Sequence, residues 1–152
     1  MHVDYDGLGE RLEMYREKCG LSKDEVMKRI GISRSGFYSY EAGSGFPGAA
    51  TMAKMAQLYG VSLRELLGDP EPGRMFPPGE LRFTGDPILR KKEAECKSWA
   101  QLNILCRYSQ RSPNVSRLAH RCKKAPHIDT LIWVSEHLNI PIEDFFLEEV
   151  KK

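Results

Sequence analysis

The chain has 152 residues, 41% of them apolar and 29% charged, with a formal net charge of +2. That balance fits one ordinary soluble domain or two small ones, and no stretch approaches the roughly 18 to 20 uncharged apolar residues of a membrane-spanning helix. Met1 to Gly9 lack the basic start and apolar run of a secretory signal, which predicts a cytoplasmic protein with reduced thiols.

In chain order, apolar residues first recur at helical spacing in five short groups: Leu8, Leu12 and Tyr15; Val26, Met27 and Ile30; Phe37 and Tyr40; Met52, Met55, Ala56 and Tyr59; Leu63, Leu66 and Leu67. Five short helices are expected. Ser22 with Glu25 and Ser62 with Glu65 have the spacing of capping boxes, Gly31 suits a left-handed helix end, Ser33 caps the next helix, and Gly43 and Gly45 end it. Residues 69–86 concentrate Pro and Gly and read as a linker, and Asp86 followed by Pro87 supplies a cap and a preset first residue for a new helix.

Beyond the linker the pattern returns when the chain is slid by 78 residues. Leu21 then meets Trp99, Val26 meets Ile104, Met27 meets Leu105, Ile30 meets Tyr108, Phe37 meets Val115 and Tyr40 meets Leu118. From Pro47 against Pro126 the offset becomes 79, setting Tyr59-Gly-Val-Ser-Leu-Arg-Glu-Leu-Leu67 beside Leu138-Asn-Ile-Pro-Ile-Glu-Asp-Phe-Phe146. An internal duplication is the reading, with domains at 1–68 and 87–150. Helix 1 is the poorest match, since Leu12 and Tyr15 fall opposite Arg90 and Glu93.

Charge is uneven along the chain. Residues 1–68 hold nine Lys/Arg and nine Asp/Glu, residues 69–86 two and four, and residues 87–152 twelve and eight. Six basic residues (Arg107, Arg111, Arg117, Arg121, Lys123 and Lys124) fall between 107 and 124 without an acid, a candidate surface for a polyanion or simply a solvated face. The four cysteines form no Cys-x-x-Cys pair and suit small buried hydrophobes. Cys106, His120, Cys122 and His127 do not have the spacing of a structural zinc site. No Gly-rich phosphate loop, metal-ligand cluster or catalytic triad stands on convincing elements, so neither an enzyme nor a cofactor is expected. No motif assigns a small-molecule effector.

Residues 21–43, LSKDEVMKRIGISRSGFYSYEAG, resemble the helix-turn-helix of the Cro/CI-type (XRE) family. The resemblance extends over about residues 8–68, including Leu8-Gly-Glu-Arg-Leu12, the turn at Gly31 and the glutamate Glu41. It implies an all-α protein of two tandem five-helix, lambda-repressor-like domains joined by the Pro/Gly-rich linker. One helix (about 22–30) would brace a second (about 33–42) that enters the major groove of double-stranded DNA, anchored by Phe37 and Tyr40. Arg34, Ser35, Tyr38 and Ser39 would then face base edges, with Arg34 suited to guanine because its fork donates to O6 and N7 together. By resemblance to the family, Lys23, Ser33 and Ser44 would hold phosphates. Gly36 weakens the reading helix by roughly 1 kcal/mol relative to Ala, or serves close approach to DNA.

The second copy departs from the family at Ser109, which stands for Gly31, at Pro113 after a capping Ser112, and at Ala119, which stands for Glu41. Asn114, Arg117 and Arg121 would project from its matching helix, either to DNA or as part of a dimerisation module. The resemblance implies a transcriptional repressor. It acts either as a pseudo-dimer within one chain or as a homodimer, with half-sites about 34 to 36 Å apart or a multiple of that. The alternative is a protein-interaction module of the same fold, for example an antitoxin-type partner, without independent reading of DNA.

Overall fold

The computed structural model describes residues 3–106, 114–120 and 125–148 and divides into two compact units, residues 1–78 and 79–152. Among the described residues no helix is long and apolar enough to cross a membrane.

In the first unit, α1 (Leu8–Lys18), α2 (Lys23–Ile30), α3 (Arg34–Ala42), α4 (Ala49–Tyr59) and the single turn α5 (Leu63–Leu66) follow the apolar spacing of the sequence. Their starts and stops have local causes. Ser22 Oγ accepts the Glu25 N–H, which satisfies one orphan donor of α2. Gly31 then closes α2 in the left-handed region at φ 77°, where its N–H bonds to Met27 O and a side chain would be strained. Ser33 caps α3 through the Gly36 N–H, and Ser62 with Glu65 forms a complete capping box on α5. Leu8, Leu12, Val26, Ile30, Phe37, Met52, Met55, Leu63, Leu66 and Leu67 make the core, whereas Tyr15, Met27 and Tyr40 are only half-buried.

Part of the expected linker belongs to this unit. Phe76 is buried, the Gly73 N–H bonds to Ser62 Oγ, and Gln57 donates to Pro77 O at 2.6 Å.

The second unit is mostly helical but not all-α. Strand β1 (Leu81–Phe83) pairs antiparallel with β2 (Phe146–Glu148), Phe83 opposite Phe146, and the Phe83 ring stacks on Phe145 at 6.2 Å. This ribbon joins the ends of the unit, which a reading of residues 69–86 as Pro/Gly-rich linker did not anticipate. Between the strands lie α6 (Asp86–Ala94), α7 (Trp99–Leu105), α8 (Val115–Ala119), α9 (Ile128–Leu138) and a 3-10 turn at Ile142–Phe145. The cap of α6 is Gly85, not Asp86: Asp86 is the first helical residue and its N–H is taken by Thr84 Oγ1. Helix α8 is capped by Asn114. The expected features at Tyr108, Ser109, Ser112 and Pro113 lie outside the described residues.

The register expected for the second unit changes in its first two helices. Ile104 is 66% exposed and Leu105 is exposed as well, while Leu102 and Cys106 are buried. Residues of like burial or capping stand 76 apart, not 78: Leu12 and Ile88, both buried, Ser22 and Ser98 as caps, Val26 and Leu102, Ile30 and Cys106. Ser98 also forms a complete capping box with Gln101. The offset of 78 holds at Phe37 and Val115, both fully buried, so the stretch between these helices is two residues longer in the second unit. From α4 and α9 onward the offset is 79: both are 11 residues long, and Gly60 and Asn139 both end their helices in the left-handed region.

Two close approaches also correspond. A Cβ on Gly9 would lie 2.5 Å from Glu41 O, and one on Gly85 would collide with Ala119 O, so each unit seats a glycine against the same carbonyl position of its third helix.

Candidate nucleic-acid interface

The predicted reading residues divide by what their side chains already do. Arg34 is the first residue of α3 and exposed, and its guanidinium carbon lies 5.4 Å from the centre of the Tyr38 ring, one turn along. Lys23, first residue of α2, brings its Nζ to 4.7 Å from the same ring. Ser33 Oγ accepts the Gly36 N–H and lies 3.4 Å from Ser35 Oγ. Lys23, Ser33, Arg34, Ser35 and Tyr38 are therefore gathered where α2 and α3 begin, and four of the five are exposed.

Ser39 and Ser44 sit differently. Ser39 is half-buried and its hydroxyl donates to Gly36 O at 2.9 Å, while Ser44 donates through Oγ and N–H to Ser39 O. In the second unit Asn114 Oδ1 accepts the Arg117 N–H and so serves as a cap, Arg117 is exposed in the last turn of α8, and Arg121 lies outside the described residues. So do Arg107, Arg111, Cys122, Lys123 and Lys124. His120 turns its Nδ1 to Ser116 O at 2.7 Å and its ring to Trp99.

A buried ion pair ties α3 to α1. Arg16 Nε donates to Glu41 Oε1 at 2.7 Å, Nη2 reaches Oε2 at 3.5 Å and Nη1 donates to Leu21 O at 3.0 Å, with both side chains under 10% exposed. The Glu41 carboxylate raises the Arg16 pKa above its ordinary value. Tyr59 packs into the same region, where burial first and the Glu41 charge second push its hydroxyl well above the ordinary tyrosine range. Arg16 is the functional partner that sequence reasoning missed. Its signal was there: Arg16 continues the Leu8–Leu12 stripe at a spacing of four, and a charge on a core-facing stripe requires a buried counter-charge.

Residues 7–67 match a helix-turn-helix domain family. Over 76 residues the chain is 34% identical to the SPbeta prophage-derived uncharacterized HTH-type transcriptional regulator YonR of Bacillus subtilis, covering 70% of that protein and 41% of this chain. The chain belongs to the Cro/CI-type helix-turn-helix regulators. Further relatives of this type are the cryptic phage CTXphi transcriptional repressor RstR of Vibrio cholerae, 37% identical over 37% of this chain, and HTH-type transcriptional regulator ImmR of B. subtilis, 34% identical over 42% of it. This chain spans half the length of each of those two. No solved structure matches it. Within the Cro/CI-type domain the turn at Gly31 and the Arg16–Glu41 lock leave the face bearing Arg34, Ser35 and Tyr38 outward.

Proposed function

We propose that the protein is a sequence-specific DNA-binding transcriptional regulator, a repressor, whose α3 reads the major groove. The observation that carries this is the exposed Arg34, Ser35 and Tyr38 face on a helix anchored from behind by buried Phe37 and by the Arg16–Glu41 pair. A major groove admits such a helix, and an arginine fork reads guanine there. The relatives' printed roles as transcriptional regulators and a phage repressor point the same way. The test is selection of bound sequences from a random duplex pool by the full chain and by Arg34→Ala. The wild type should enrich one motif with affinity that falls steeply with salt, as counterion release requires, and Arg34→Ala should lose roughly 1 to 3 kcal/mol and its preference at one base pair. No enriched sequence, or binding indifferent to salt, would overturn the reading.

The second unit reads best as a divergent copy of the first, by the correspondence of caps, core positions and glycine contacts. One observation favours protein contact over DNA for it. At the offset of 76, exposed Ile104 and Leu105 stand where the first unit carries exposed Lys28 and Arg29. An outward basic pair has become an apolar one, and α8 has five residues where α3 has nine. The role proposed for this unit is assembly, including a homodimer that places two reading helices on a palindrome. Molecular mass in solution decides that point: a monomer at working concentration sets the homodimer aside.

A further inference from the structure

Resting on the reading of α3 as a DNA-reading helix, we propose that Tyr38 is a positioning residue for that surface: its ring, not its hydroxyl, holds Arg34 and Lys23 where they meet DNA. The ring lies 5.4 Å from the Arg34 guanidinium carbon and 4.7 Å from Lys23 Nζ, within the reach at which an aromatic quadrupole attracts a cation. It is itself steadied from behind, because Phe37, fully buried, meets it edge-on at 6.1 Å. Among the described residues neither cation is paired with a carboxylate, so both charges stay available to a polyanion. The arrangement couples the start of α2 to the start of α3 through one side chain.

The consequence is preorganisation. A free arginine at the first turn of a helix samples many rotamers and loses them on binding, whereas one resting on a ring has fewer to lose. The ring therefore sharpens what Arg34 reads and keeps Lys23 beside it, without Tyr38 itself contacting a base edge through its hydroxyl.

The experiment uses the full chain and a random duplex DNA pool, comparing wild type with Tyr38→Phe, Tyr38→Leu, Arg34→Ala and the Arg34→Ala/Tyr38→Leu double variant, each first shown by circular dichroism to melt as a folded protein. Tyr38→Phe should keep the wild-type motif and affinity. Tyr38→Leu should lose about two- to fivefold, the equivalent of an exposed cation–π contact, with the loss concentrated at the base pair whose preference Arg34→Ala abolishes. At that position the double variant should lose no more than Arg34→Ala alone. Tyr38→Phe failing like Tyr38→Leu, additive losses at that base pair in the double variant, or a Tyr38→Leu loss with no excess at that base pair over the even loss from a freed Lys23 would each overturn the proposal. If the wild type enriches nothing, the reading on which it rests fails and the proposal falls with it. If the wild type enriches a motif that Tyr38→Leu binds with unchanged affinity and base preference, only the proposal falls.

Discussion

Replacing Glu41 with alanine removes one half of a pair whose side chains are both more than nine-tenths buried, and strands the Arg16 guanidinium with a single remaining bond to Leu21 O. Breaking a buried pair from one side costs about 3 to 5 kcal/mol, because the surviving charge loses its partner without regaining water. Against a domain stability of roughly 5 to 15 kcal/mol, that is a large fraction. At about 4 to 8 °C per kcal/mol for a domain of this size, the first unit should melt at least about 12 °C lower. Both tryptophans, Trp99 and Trp133, lie in the second unit, so their emission follows that unit while far-ultraviolet circular dichroism follows both. The Glu41→Ala loss should appear in the dichroism transition. The decisive control is Arg16→Met/Glu41→Leu, which removes both charges and should recover most of the loss, since a well-packed apolar pair is often as stable as an ion pair. A Glu41→Ala melt within about 2 °C of wild type, or a double variant as unstable as the single one, refutes the account of α3 being locked by charge.

Further outcomes follow from the packing. Gly9→Ala sets a methyl 2.5 Å from Glu41 O and 3.0 Å from Tyr40 O, both backbone, and should cost about 1 to 3 kcal/mol in a urea titration. The register of α7 is tested by Leu102→Ala, which should cost about 2 to 5 kcal/mol in the tryptophan-monitored transition, while Ile104→Ala should stay within about 0.5 kcal/mol. The reverse order would restore the offset of 78. Burial pushes the Cys106 thiol from its ordinary 9.0 up to about 11. A raised folded value means its contribution is fully present below pH 9 and is lost as pH rises to about 11, so the stability gap between wild type and Cys106→Ala should shrink over that window. Peptide mapping after iodoacetamide should find exposed Cys19 and Cys96 labelled in the native protein and Cys106 only on unfolding.

In the first unit most helix boundaries were legible, because α2, α3 and α5 start at serine caps and α2, α3 and α4 each stop at a left-handed glycine. In the second unit apolarity alone does not find the buried side of α7, where Ile104 and Leu105 are exposed and Leu102 is buried. The adjacent pairs Val26-Met27 and Ile104-Leu105 align well by composition, yet over two turns a half-buried helix is fixed as much by its cap as by its stripe. Aligning Ser22-x-x-Glu25 with Ser98-x-x-Gln101 would have given 76, brought Leu12 opposite Ile88 and made helix 1 an ordinary match. The same applies to the ribbon: Leu81-Arg-Phe83 is three residues inside a Pro/Gly-rich stretch, too short to show alternation, and its partner lies 63 positions away across the Phe83–Phe146 pair. Of the candidate site, exposed Arg34 and Ser35 were visible from helix geometry. The approach of Lys23 to Tyr38 was not, since it depends on the angle between two helices rather than on spacing within one.

The clasp of residues 69–78 bears on how the two units communicate. Gln57 holds Pro77 O, and β1 begins at Leu81, so only three residues separate that bond from the first strand of the next unit, at most about 14 Å from Pro77 to Leu81 when extended. A tether so short acts as a concentration term. A ligand able to engage both units would meet the second as an intramolecular event, at an effective concentration on the order of millimolar. Lengthening the chain at Pro78 with a flexible insert would lower that effective concentration.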